Sequence, residues 1–173
     1  MKFIEIKLLD WNLKDTIKKL ILMKNNYTLN LEDMPVKEAH KLDQKKLSDF
    51  LIGKLVNFSS INKIGQFNEG QSNPTYVIES LEGYRYVLRK KPPGKLLPSA
   101  HAVDREYKVQ KALYETDVPV AKMYLYCEDE NIVGTPFYIM GYLEGRVFLD
   151  TTLPGHTSED RTAIYNSMNE TLA

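Results

Sequence analysis

The stretch YVLRKKPPGKLLPSAHAVDREYKVQKAL, Tyr86 to Leu113, carries a carboxylate that is hard to leave unpaired. Ala102, Val109 and Leu113 recur at helical spacing, and Glu106 falls in the middle of that apolar stripe. A glutamate there has to meet a cation or stay protonated, because a bare buried charge is too costly. Two cations upstream compete for it. Alternation along the strand-like run RYVLRK puts Tyr86, Leu88 and Lys90 on one face and Val87 and Arg89 on the other. Arg89 is a permanent cation able to clasp a carboxylate through two parallel N–H bonds; Lys90 is the rival if the faces are reversed. Such a pair can hold an anion or simply brace the fold. A second candidate lies in NEGQSNPT, where Glu69, Gly70, Gln71, Ser72 and Asn73 are small or polar. A loop of that kind can turn backbone N–H groups toward a phosphate, or it can be an ordinary hairpin loop.

Strands and helices must bring these residues together. INKIGQF, YVIES and RYVLRK, separated by that loop and by the turn at LEGY, read as an antiparallel meander. The helix bearing Glu106, expected over Ala100–Glu115, follows a connection containing Pro92, Pro93 and Pro98. KMYLYCE and PFYIMGYL, rich in aromatic and β-branched residues, add two strands with acids and Gly134 at the turn between them. Ahead of the meander, Leu42, Leu47, Phe50, Leu51 and Leu55 mark an amphipathic helix with Asp43 as its N-cap. NLEDMPVKEAH reads as a linker broken at Pro35, and an amphipathic helix is expected around Leu13–Met23. That early stretch contains acids and no arginine, unlike a mitochondrial presequence.

Bulk properties exclude several classes. A chain of 173 residues, 43% hydrophobic, can bury one real core. A formal net charge of zero and a pI near 6.8 give no reason to expect nucleic acid or anionic lipid as a partner. The single Cys127 forbids an internal disulfide, suits a reducing, intracellular setting and reads as a small buried strand residue. His40, His101 and His156 lie too far apart for a recognisable metal-ligand spacing. No apolar run is long enough to span a membrane.

The order of elements gives an α+β fold with the plan of a protein-kinase small lobe, five antiparallel strands with one helix inserted after the third. In kinases a lysine on the third strand, in the frame V-A-I-K, pairs with a glutamate on the next helix and grips ATP phosphates. Tyr86-Val87-Leu88-Arg89 lies in that frame, with Arg89 in the lysine's place. FYIMGYLEG then reads as the hinge, with Met140 behind the adenine pocket. The backbone of Gly141 and Leu143 would offer the acceptor and donor that an adenine edge requires. A buried strand ending in a glycine turn accounts for the same letters without a ligand.

LRKKPPGKLLPSAHAVDREYKVQKAL, GQSNPTYVIES and DVPVAKMYLYCEDENIVGTPFYIMGYLEGRVF together resemble the aminoglycoside-phosphotransferase-like domain of acyl-CoA dehydrogenase family members 10 and 11. The likeness runs over residues 39–173. It implies an N-terminal extension and linker at 1–38, a leading helix at 39–60, a nucleotide-binding small lobe at 61–145 and the start of a large lobe at 146–173. It also implies that Gly70, Gln71, Ser72 and Asn73 cover phosphates, Arg89 is the strand-three cation with Glu106 its helix partner, and Met140, Gly141 and Leu143 form the hinge. Relatives usually carry an acid where this chain has Gly141. The resemblance implies ATP as cofactor, with Mg²⁺ in the full-length parent and FAD only in the parent's dehydrogenase domain. The acceptor would be a hydroxyl of a 4-hydroxyacyl-CoA, and the family suggests mitochondria or peroxisomes.

Phosphoryl transfer needs an Asp that orients the acceptor hydroxyl and an Asn and an Asp that hold Mg²⁺. The family carries these in a His-Gly-Asp loop and beyond it, and no such tripeptide occurs here. The expectation is therefore an inactive fragment whose final helix, beginning near Thr157 and Ser158, exposes Ile164, Met168 and Leu172. Two other readings stay open: a non-catalytic nucleotide-binding module and a non-functional truncated product.

Overall fold

The computed structural model describes residues 30–67, 73–94, 100–145, 148 and 150–172. The expected early helix around Leu13–Met23 lies outside them. Two single 3-10 turns, Leu31–Asp33 and Glu38–His40, lead into helix α1 (Gln44–Leu51), strand β1 (Ile61–Gln66), β2 (Thr75–Ser80) and β3 (Arg85–Lys90). Helix α2 (Val103–Leu113), β4 (Met123–Cys127), the short α3 (Glu130–Val133), β5 (Phe137–Gly141) and α4 (Ser158–Leu172) follow. The five strands form one antiparallel-paired sheet in the order β1-β2-β3-β5-β4, so β5 returns between β3 and β4.

The sheet divides its residues by parity. One face carries Tyr76, Ile78, Tyr86, Leu88, Phe137 and Ile139, which pack with Leu47, Leu51 and Leu55 into the main core. Helix α1 supplies that cover because Leu47 and Leu51 share one side of it. Its start is fixed by Asp43, whose carboxylate accepts the Lys46 N–H at 3.0 Å. The opposite face carries a smaller cluster of Val103, Met123 and Tyr138, with Tyr107, Tyr126 and Met140 against it. Helix α2 covers this side.

Four local expectations change. The stripe of α2 that meets the sheet is not Ala102–Val109–Leu113: Val103 is fully buried and Val109 is 52% exposed. Tyr107 stacks on Tyr126 at 5.7 Å and sits beside Tyr138, and rings that large win the helix face over a valine. Glu106 belongs to either stripe and so keeps its inward position. NLEDMPVKEAH, read as a linker, packs on β1: Leu31 and Met34 are buried, and the Met34 carbonyl accepts the Gln66 N–H at 3.1 Å. Gly65 admits this packing, because a Cβ there would stand only 3.0 Å from that of Met34. The turn between β4 and β5 contains α3, capped by Asp129 and closed by Gly134 at φ 86°. In α4, Ile164 is buried rather than exposed. The segment before the helix folds back along it, with the Tyr165 hydroxyl donating to the Thr151 carbonyl and Arg161 to that of His156. Met168 is exposed as expected, and the side chain of Leu172 lies outside the described residues.

Candidate nucleotide-binding site on the α2 face

Register on three strands assembles the site as two adjacent rows. Thr75, Arg89 and Tyr138 lie directly opposite one another across β2, β3 and β5; two residues along, Val77, Val87 and Met140 do the same. Period-two alternation places both rows on the α2 face, one polar and one apolar. Val77 and Val87 are buried and Met140 is half-buried. The V-A-I-K frame is therefore kept: Val87 and Arg89 share a face, and Tyr86 and Leu88 belong to the core behind.

Glu106 reaches down from α2 onto the polar row. Its Oε2 accepts the Arg89 Nε–H at 2.8 Å and the Tyr138 hydroxyl at 3.0 Å, while Oε1 accepts the Asn73 amide at 3.0 Å. Arg89 also donates from Nη1 to Thr75 Oγ1 at 2.9 Å. The side chains of Arg89 and Glu106 are 27% and 33% exposed, so the pair lines the surface of the face. The two-bond clasp expected from sequence is not formed. Asn73 bonds one carboxylate oxygen and Tyr138 shares the other with arginine, which makes a single bond there and turns its second nitrogen to Thr75. Burial, then the charge of Glu106, push the Tyr138 hydroxyl far above its ordinary range, which keeps it a donor.

Lys90 is not the partner. It lies on the core side, buried, and donates to the Val133 carbonyl at the end of α3; desolvation lowers its pKa. Gly70, Gln71 and Ser72 lie outside the described residues. Asn73, grouped with them by sequence, is only 3% exposed. Its side chain is committed to Glu106 and, at 2.8 Å, to His101, rather than held out to an anion.

At the other end of the apolar row, the Gly141 N–H donates to the Lys122 carbonyl at 2.8 Å. Leu143 follows outside the strand, exposed, and its N–H makes no hydrogen bond to a described residue. Arg85 stands over the ring of the intervening Tyr142. A shallow cavity of about 310 Å³ lies elsewhere, between α1 and β1, lined by residues such as Gln44, Ser48, Ile52 and Ser60. It contains none of the residues above. Among the described residues no group of three acidic, His or Cys side chains is placed to hold a metal ion, and no helix is long and apolar enough to cross a membrane.

Sequence reasoning missed Thr75, Tyr138, His101 and Gln110, whose Nε2 donates to the Tyr138 hydroxyl at 3.4 Å. For Tyr138 the signal was present: it stands two residues before Met140 and so shares its face.

Over residues 63–173 the sequence matches the family described as the phosphotransferase enzyme family. It is 48% identical over 139 residues to acyl-CoA dehydrogenase family member 11 of Homo sapiens, covering 78% of this chain and 18% of that protein. It is 46% identical over 139 residues to acyl-CoA dehydrogenase family member 10 of Mus musculus, covering 80% of this chain and 13% of that one. The chain thus spans less than a fifth of either relative. Among solved structures it resembles a Ralstonia eutropha protein assigned as an aminoglycoside phosphotransferase, at 43% identity and a TM-score of 0.62, covering 76% of this chain and 37% of that one.

Proposed function

Since this chain belongs to the phosphotransferase enzyme family, which it matches over residues 63–173, we propose that its five-stranded lobe binds ATP on the α2 face. The observation that carries this reading is the union of two rows on one face. A fixed ion pair, Arg89 and Glu106, stands directly beside the apolar strip Val77–Val87–Met140 that leads into the hinge. The donor set suits a nucleotide. Arg89 is a permanent cation whose Nε and Nη1 are already fixed, so its guanidinium meets phosphate oxygens in a set orientation. The apolar strip suits a purine face, and the Leu143 N–H with the Gly141 carbonyl suits its edge. ATP, when bound, supplies the transferable phosphoryl group.

The relatives carry the name of acyl-CoA dehydrogenases. For a longer protein built around this lobe, the acceptor we propose is the hydroxyl of a 4-hydroxyacyl-CoA: it would take the γ-phosphoryl group of ATP, leaving ADP, with Mg²⁺ neutralising the phosphate charge, and the phosphorylated acyl-CoA would go on to a dehydrogenase domain carrying FAD. The 173 residues hold no His-Gly-Asp run, so this chain should bind ATP without turning it over. Equilibrium binding of a fluorescent ATP analogue, competed by ATP, tests the first statement. A phosphate-release assay with purified chain tests the second, and release above a protein-free blank would overturn it.

A further inference from the structure

The Asn73 amide is the least expected member of the site. It is almost fully buried, and its two ends are used by different parts of α2 and its approach. An ionised carboxylate only accepts hydrogen bonds, so the atom facing Glu106 Oε1 at 3.0 Å is the amide nitrogen. Asn73 Oδ1 then faces His101 Nδ1 at 2.8 Å and must accept, which assigns the ring proton to Nδ1. His101 holds this position at φ 58°, a left-handed backbone that costs a non-glycine residue energy. Two residues on, α2 begins at Val103.

From this geometry we infer that Asn73 and Tyr138 are positioning residues for the Arg89 cation. Asn73 joins the chain entering β2 to both the approach and the body of α2, and Tyr138 joins β5 to the same carboxylate. Glu106 is therefore held from two sides before arginine reaches it. With Asn73 on Oε1 and Tyr138 on Oε2, arginine makes one bond to the carboxylate and places its second nitrogen on Thr75. The orientation of Arg89 is thus set by three strands and a helix, not by the ion pair alone. As far as this bears on ATP, it rests on the nucleotide-binding reading; the orientation itself does not.

The test uses the full 173-residue chain as wild type and as Asn73→Ala and Tyr138→Phe, with thermal midpoints recorded to establish folding. The first readout needs no nucleotide: solvent exchange of the Arg89 Nε–H, followed by NMR and assigned through Arg89→Lys. Slow exchange in wild type that becomes at least about tenfold faster in either folded variant supports the inference. Unchanged exchange in both overturns it, and Tyr138→Phe keeps the test decisive if Asn73→Ala fails to fold. The second readout is ATP affinity in a double-mutant cycle with Arg89→Ala. An Asn73→Ala loss of about tenfold that disappears in the Arg89→Ala background supports action through arginine; fully additive losses overturn it. If wild type binds no ATP, the proposed function fails while the exchange measurement still decides the positioning role.

Discussion

The Glu106 carboxylate accepts three donors, and that number decides what each substitution should do. Arg89→Ala leaves Glu106 with Asn73 and Tyr138, in a site open enough for water to help. The cost in stability should therefore be small, about 1 kcal/mol, near the upper range for exposed ion pairs. Glu106→Ala strands a guanidinium, a hydroxyl and an amide at once, and should cost more, on the order of 2–3 kcal/mol. Chemical denaturation of the two variants checks the order; equal costs would mean that Asn73 and Tyr138 contribute nothing at Glu106. The Arg89–Glu106 pairing was legible in advance because alternation in a strand is strict and leaves only two choices of face. The role of Asn73 was not legible. A loop side chain has no period, so its letter gave no indication that it turns inward.

Elements were easier to read than their rotations. Five strands and the helices flanking the meander follow from alternation, turn residues and the Asp43 cap. The rotation of α2 was hidden, because it depends on Tyr126 and Tyr138 from strands β4 and β5, which recruit Tyr107. Removing that ring should be expensive, about 2 kcal/mol or more, whereas Val109→Ala should stay within roughly 0.5 kcal/mol. The reverse order in urea melts would restore the valine stripe. The end of β5 offers a second check at this scale. A Cβ on Gly141 would meet its neighbours no closer than 3.8 Å, in ordinary contact, and nothing in the strand demands glycine there. Gly141→Ala should therefore raise stability by about 0.4–1 kcal/mol by restricting the unfolded chain. A fall in the melting midpoint would show that the backbone there is strained. The packing of Leu31 and Met34 on β1 also escaped the sequence, since a proline-broken segment has no periodicity to signal which residues are covered.

Across the whole molecule, buried and half-buried phenols link the sheet to pH. The hydroxyls of Tyr76, Tyr86 and Tyr126 are pushed up from 10.0 to about 12, chiefly by burial. The folded state thus holds these protons more tightly than the unfolded chain, so their contribution is complete below pH 10 and is lost as pH climbs toward 12. Lys90 works the other way, since burial lowers its pKa and its penalty fades as pH approaches 10.5. Stability should therefore fall above pH 10 as these phenols and Tyr138 lose their protons, with late tyrosinate absorbance rising together with unfolding. Early ionisation of all the tyrosines in the folded chain would contradict this. The central claim is that the α2 face is a nucleotide site organised by Arg89, and its most direct measurement is an ATP titration of wild type and Arg89→Ala by calorimetry. Saturable binding to wild type, weakened at least about tenfold in a folded Arg89→Ala, is the result expected. No binding by the folded wild-type chain, or equal affinity in both, would contradict it.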